Sequence, residues 1–149
     1  MNRLRLFASI LLFLLATSGQ SFAAERMLVL VASSASVHDG LSPFEIRKAF
    51  LGYPLKHNGH ETHPLRNRTD PRLQEAFLQK IMFMSDQVYE RQLTGMMFRY
   101  GLAKPPEYSN LAELARALAN DPDSISYMWM ADAQQFHNIK VIAQSWHED

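Results

Sequence analysis

The pattern of apolar and polar positions divides the chain into a leader and a folded part. Leu6 to Ala16 is apolar except at Ser9, with Arg3 and Arg5 before it, and Thr17 to Ala23 returns to mostly small and polar residues, ending Ser21-Phe22-Ala23. A basic start, a short apolar run and small residues where a signal peptidase reads predict a cleavable secretory signal peptide over residues 1–23. The run of eleven apolar-type positions is too short to span a bilayer core of about 30 Å, so the pattern predicts export rather than a membrane anchor. The expected location is the periplasm, with no embedded segment after cleavage.

Beyond the leader, strand-like runs alternate with helical patterns. Met27 to Val31 (MLVLV) is continuously apolar and predicts a strand buried on both faces. Ser42-Pro43-Phe44-Glu45 starts a helix with a cap, a proline at the first position and a capping-box glutamate, and Gly52 ends it. Asn58-Gly59 within Leu55–Leu65 predicts a β-hairpin. Asp70-Pro71 starts the next helix, with Leu73, Phe77, Ile81 and Met84 as its core stripe. Ser85 caps a helix running to Tyr100, closed by Gly101, and Lys104-Pro105-Pro106 is a stiff connector. Asn110 to Glu113 opens a helix lined by Leu111, Leu114 and Leu118, and Asp121-Pro122 breaks it. Ile125–Met130 and Ile139–Ala143 predict closing strands. The whole is an α/β domain over residues 24–149, with a mixed, mostly parallel sheet flanked by helices.

Composition narrows the function. Taking the 23-residue leader from 149 residues leaves 126, enough for one domain with a real core. The leader removes two arginines and no acid, so 13 basic residues face 15 acidic ones, a net of −2. That balance argues against a nucleic-acid binder, which carries a basic stripe. Cysteine is absent, which excludes both a disulfide and an acylated-cysteine anchor.

Several segments in order resemble the phosphate-transporter substrate-binding-like proteins. They are LSPFEIRKAFLG (Leu41–Gly52), QEAFLQKIM (Gln74–Met82), YERQLTGMMFRYGLAKPP (Tyr89–Pro106), DPDSISYM (Asp121–Met128) and IKVI (Ile139–Ile142). The resemblance covers nearly all of the mature chain. It implies a type 2 periplasmic-binding-protein fold in a shortened form, one lobe where full members have two closing on a ligand. Larger phosphate-binding relatives carry Arg-Ser-Asp-Gly-Ser-Gly-Thr before the helix holding Ala-Phe. Here that stretch is RNRTDPRL (Arg66–Leu73), with Asn67 at the Arg position, Thr69 at the Asp, and Asp70 and Arg72 at the glycines. Asp123 and Ser126 likewise replace the glycines of Gly-Ala-Ile-Gly-Tyr, leaving Ile125 and Tyr127 matched. The resemblance therefore transfers no phosphate ligand.

Read as chemistry, Arg66, Arg68 and Thr69 precede a helix start, where backbone N–H groups and guanidinium forks can receive a small anion such as phosphate. Asp70 competes there, because it caps the same end and brings its own negative charge. Ser33 and Ser34, with Ser36, follow the first strand, where ligands of open α/β sheets tend to lie. His57, His60 and His63 would share a face on a helix. On a hairpin His57 faces His60 while His63 points away, so no metal site is expected. Met82, Met84, Met96 and Met97 with Phe98, and Trp129 with Met130, are expected in the core. His38 and Asp39, adjacent in a loop, are expected to point apart. No Gly-x-Ser-x-Gly, His-Glu-x-x-His or glycine-rich phosphate loop is present, so neither an enzyme nor a cofactor is expected. The sequence supports an extracytoplasmic substrate-binding-like protein, a weak binder of phosphate or another small anion or solute linked to a transport system, with a membrane transporter or sensor protein as the expected partner. Its rival is a non-catalytic interaction or sensory module that has lost its ligand.

Overall fold

The computed structural model describes residues 27–143 and 146–147 of the chain, so the predicted leader lies outside the described residues. Strand β1 (Met27–Ser33) is central. It is followed by helix α1 (Pro43–Phe50), the hairpin β2 (Lys56–His57) and β3 (His60–Glu61), then β4 (His63–Pro64) and β5 (Arg66–Asn67). Next come α2 (Pro71–Phe77) with a π-helical turn over Leu78–Met82, α3 (Asp86–Tyr100), β6 (Glu107–Tyr108) and α4 (Leu111–Asn120). Strand β7 (Ser124–Trp129), the short α5 (Met130–Ala133), β8 (Ile139–Val141) and β9 (Trp146–His147) complete it.

The main sheet has the order β4-β7-β1-β8, with β9 also pairing β1. It is mixed and flanked by helices, as expected, but parallel pairing is its minor part. Strand β1 runs antiparallel to β7, β8 and β9, while β4 runs parallel to β7 and, apart from this sheet, β5 to β6. The apolar run of β1 reports burial on both faces, and helices on both sides of an antiparallel strand produce the same run as a parallel sheet does.

The core follows strand parity. Leu28, Leu30 and Ala32 face a cluster with Ile46, Phe50, Phe77, Tyr89, Ile125 and Tyr127, brought by α1, α2, α3 and β7. Val29 and Val31 face the other way, onto Leu114, Leu118, Met128 and Ala133 from α4, β7 and α5. On the first face the Phe77 ring stacks on Tyr127 at 3.7 Å between centroids and meets Phe50 edge-on at 4.9 Å. The Tyr89 hydroxyl donates to the Phe50 carbonyl at 2.6 Å and ties α3 to the end of α1.

The local signals act where they were placed. Ser42 and Glu45 form a reciprocal capping box, Ser85 and Asn110 cap α3 and α4, and Gly101 ends α3 at φ +66. Asn58 and Gly59 turn the hairpin with φ of +51 and +82, and His57 lies opposite His60. The core expectation for Met97 and Phe98 needs correction. Met97 and Phe98 are 40% and 80% exposed, because the core-facing turn of α3 is carried by Tyr89, Leu93 and Met96. After the π-helical turn Phe83 adopts a left-handed φ of +55, which puts its ring in solvent beneath the Arg47 guanidinium.

Candidate functional site

The segment Arg66–Asp70 leaves the carboxyl end of the β4/β5 run and enters α2. Asn67 is fully buried and organises it: its amide donates to the Tyr127 carbonyl at 2.8 Å, and the Tyr127 hydroxyl donates back to the Asn67 carbonyl at 3.1 Å. Its side-chain oxygen accepts from the Thr69 N–H at 3.0 Å and from the Thr69 hydroxyl at 2.7 Å. Asp70 caps α2 by accepting from the Arg72 N–H at 2.9 Å, and its second oxygen accepts from the Trp129 indole N–H at 2.8 Å. Burial raises the Asp70 pKa, but these donors outweigh it and hold the carboxyl below its ordinary range. The helix start is thus served by its own carboxylate.

Both arginines are held by carboxylates. The Arg66 side chain is only 7% exposed, donates through Nε to the Pro105 carbonyl at 2.9 Å, and pairs with Glu90 at 2.6 Å and Glu107 at 3.2 Å. Arg68, about a third exposed, reaches Asp86 at 3.3 Å and Glu90 at 3.9 Å. Burial pushes the Glu90 carboxyl up, but Arg66 and then Lys104, at 3.3 Å, outweigh it and keep it below the usual carboxylate range. The segment is a charge-balanced network in which each of the three guanidinium nitrogens of Arg66 faces a protein acceptor.

Arg66, Arg68 and Thr69 are therefore neighbours, whereas Ser33 and Ser34 lie at the other end of the sheet. Ala32 pairs with Ile125 near the start of β7, while Asp70 meets Trp129 at its end. Ser33 accepts from the Ala35 N–H at 3.2 Å, and the exposed Ser34 donates its N–H to Asn138 at 2.9 Å. The two groups of candidate anion ligands do not converge.

The hairpin histidines gather partners that adjacency in sequence does not reveal. His57 Nδ1 lies 3.3 Å from Glu45 and its Nε2 lies 3.1 Å from the Asp39 carbonyl. His60 Nδ1 is 3.2 Å from Asp123, and His63 Nδ1 is 2.8 Å from Asp121. His38 is fully buried: Nε2 faces the Glu61 carbonyl at 3.1 Å and Asp123 at 3.7 Å, and Nδ1 has no hydrogen-bond partner among the described residues. Burial lowers the His38 pKa, whereas the Asp121 contact raises that of His63. His38 and Asp39 do point apart, Asp39 pairing instead with Lys140 at 2.7 Å. Among the described residues no three such groups converge tightly enough to hold a metal ion.

No family model matches this chain, and no curated protein does. Among solved structures it is similar to an ABC-type phosphate transport receptor from Vibrio cholerae, with 10% identity and a TM-score of 0.57 over 80% of this chain and 47% of that one. A possible phosphate binding protein from Planctomyces limnophilus DSM 3776 aligns at 11% identity and a TM-score of 0.48, over 80% of this chain and 42% of that one. Among the described residues no helix is long and apolar enough to cross a membrane. The chain spans about half the length of the Vibrio receptor, and it has a phosphate-binding-protein-like fold of single-lobe extent.

Proposed function

We propose that this protein is an extracytoplasmic substrate-binding-like lobe serving a membrane transport or sensory system, without the clamshell capture of free phosphate. The observation that carries this reading is the pairing of Arg66 with Glu90 and Glu107, which occupies the fork that an anion at the α2 start would need. An incoming phosphate would have to displace those carboxylates, and a single lobe surrounds it with few other groups. The fold supports a binding protein rather than an enzyme, and the net charge of the mature chain argues against nucleic acid.

The competing reading keeps a weak anion site at Arg66, Arg68 and Thr69, with Ser33 and Ser34 as a second place for it. Calorimetric titration of the protein with inorganic phosphate decides between them. The expected result is no saturable heat at millimolar phosphate. Saturable binding that is lost in the Arg66→Gln, Arg68→Gln double variant and weakened by salt would establish the anion site and overturn our reading. A non-catalytic interaction module is favoured by one further observation: α3 ends in Phe98 and Tyr100, 80% and 62% exposed.

A further inference from the structure

A second feature lies away from the Arg66–Asp70 segment. A cleft of about 750 Å³ runs along the β4 edge of the sheet, between the end of α1 and the connector before β6. That is the size of a small-molecule site, typically about 300–1,000 Å³. Tyr53, Leu55, Leu65 and Leu102 give it mainly apolar walls. His63 at the start of β4, Ser124 at the start of β7 and Asp121 at the end of α4 line one end, which lies away from the α2 start because α2 meets β7 at its far end, while Lys104 and Pro105 at the other end border the Arg66 network.

The backbone of this edge argues against an added peptide strand. Pro64 has no N–H, the Thr62 N–H donates to Leu55 and the Arg66 N–H to Pro106, while His63 and Leu65 donate inward to β7 and the residue before it. An incoming strand finds no free donor from residues 62 to 66. An occupant must instead gain from apolar burial and side-chain charge. Inorganic phosphate gains nothing from such walls.

The charges around the cleft mostly cancel. His63 pairs with Asp121 at 2.8 Å, Lys104 with Glu90 at 3.3 Å, and Glu61 reaches His63 at 3.9 Å. Lys56 stands opposite Glu61 in the hairpin, yet its side-chain ammonium has neither a hydrogen bond nor an ion pair among the described residues. Thr62 also lines the cleft, and its buried hydroxyl lacks a partner among the described residues. We infer that this cleft binds small amphipathic organic carboxylates, with the apolar body against Tyr53, Leu55, Leu65 and Leu102 and the carboxylate at Lys56. The inference goes beyond the reading of the Arg66 network and does not depend on it.

The test uses 3-phenylpropionate as the probe, with 3-phenylpropanol, acetate and phosphate as controls, in calorimetry on the full exported protein. Saturable binding of 3-phenylpropionate is expected, with acetate and phosphate silent and the alcohol weaker. Lys56→Met keeps the aliphatic stem on an exposed site and should weaken the carboxylate about three- to tenfold while leaving the alcohol unchanged. Leu102→Trp should fill the cleft and weaken both probes, its fold being checked by thermal melting. No saturable binding of 3-phenylpropionate, equal binding of acid and alcohol, or binding unchanged in Lys56→Met overturns the inference. Phosphate binding abolished at Arg66 and Arg68 but indifferent to Lys56→Met would instead count against the function proposed above and leave the cleft untouched.

Discussion

Glu90→Gln tests the claim that the Arg66 network is held by charge. Glutamine keeps the size of the side chain and one oxygen acceptor, so the substitution removes charge rather than shape. Arg66 is nearly buried and would keep the Pro105 carbonyl and Glu107, but Glu107 is half exposed and the more screened partner. A hydrogen bond to a charged group contributes about 1.5–3 kcal/mol, and the one-third exposure of Glu90 takes this toward the lower end. Lys104 also loses its ion pair. The expected loss is about 1–2 kcal/mol at neutral pH, read from urea melts at constant slope. The folded-state pKa of Glu90 lies below its ordinary value of 4.5, so its contribution is present above that pH and is lost as pH falls through the folded value. The gap between wild type and variant should therefore close in acid, while other carboxylates, common to both proteins, cancel in the comparison. Phosphate at several times its Kd should restore about 1 kcal/mol to the variant and nothing to the wild type, because only the variant leaves the guanidinium short of a neutralising carboxylate. Equal stability at neutral pH, or a gap that persists below the Glu90 pKa, would refute the charge argument.

Phe77→Ala should cost about 3–5 kcal/mol in urea melts, because the ring is fully buried between Phe50 and Tyr127 and its loss opens the first core face. His38→Gln should flatten the acid limb of stability: burial lowers the native pKa, so the wild type loses stability as pH falls from 6.5 toward that value and the variant does not. His63→Gln should show the reverse, since the Asp121 contact raises the native pKa; the wild-type advantage is full below pH 6.5 and fades as pH rises through the folded value, measured in the same melts.

Most of the local architecture was legible because its causes are local. Ser42 with Glu45, Asn58 with Gly59, and Ser85 with Gly101 each act within a few residues, and the structure uses all of them. The buried character of β1 was also legible, but not the direction of its neighbours. An apolar run records how many faces are covered, and helices cover both faces here whichever way β7 and β8 run. The exposure of Met97 and Phe98 was missed for a related reason. Residue type marks them as core, but the turn of α3 has already spent its inward face on Leu93 and Met96.

The candidate site was half legible, and the illegible half changes what it can do. Arg66 and Arg68 stand two apart in an extended segment, and Asp70 follows as a helix cap, which is enough to suggest an anion site beside a competing carboxylate. The partners that decide the matter come from far along the chain: Glu90 lies 24 residues from Arg66, and Glu107 approaches through the pairing of β5 with β6. One signal for them was present. Asp86 and Glu90 are four apart on α3 and so share a face, as Arg66 and Arg68 share one in their extended segment. Two acids on one face and two bases on another are complementary sets, and only packing reveals that they meet. Once they do, the cationic end that could receive a free anion becomes an internal tie between α3 and the β4/β5 run. Whatever this lobe recognises must then either displace Glu90 or bind elsewhere. The β4 cleft, where the Lys56 ammonium has no partner among the described residues, satisfies the second condition without displacing Glu90.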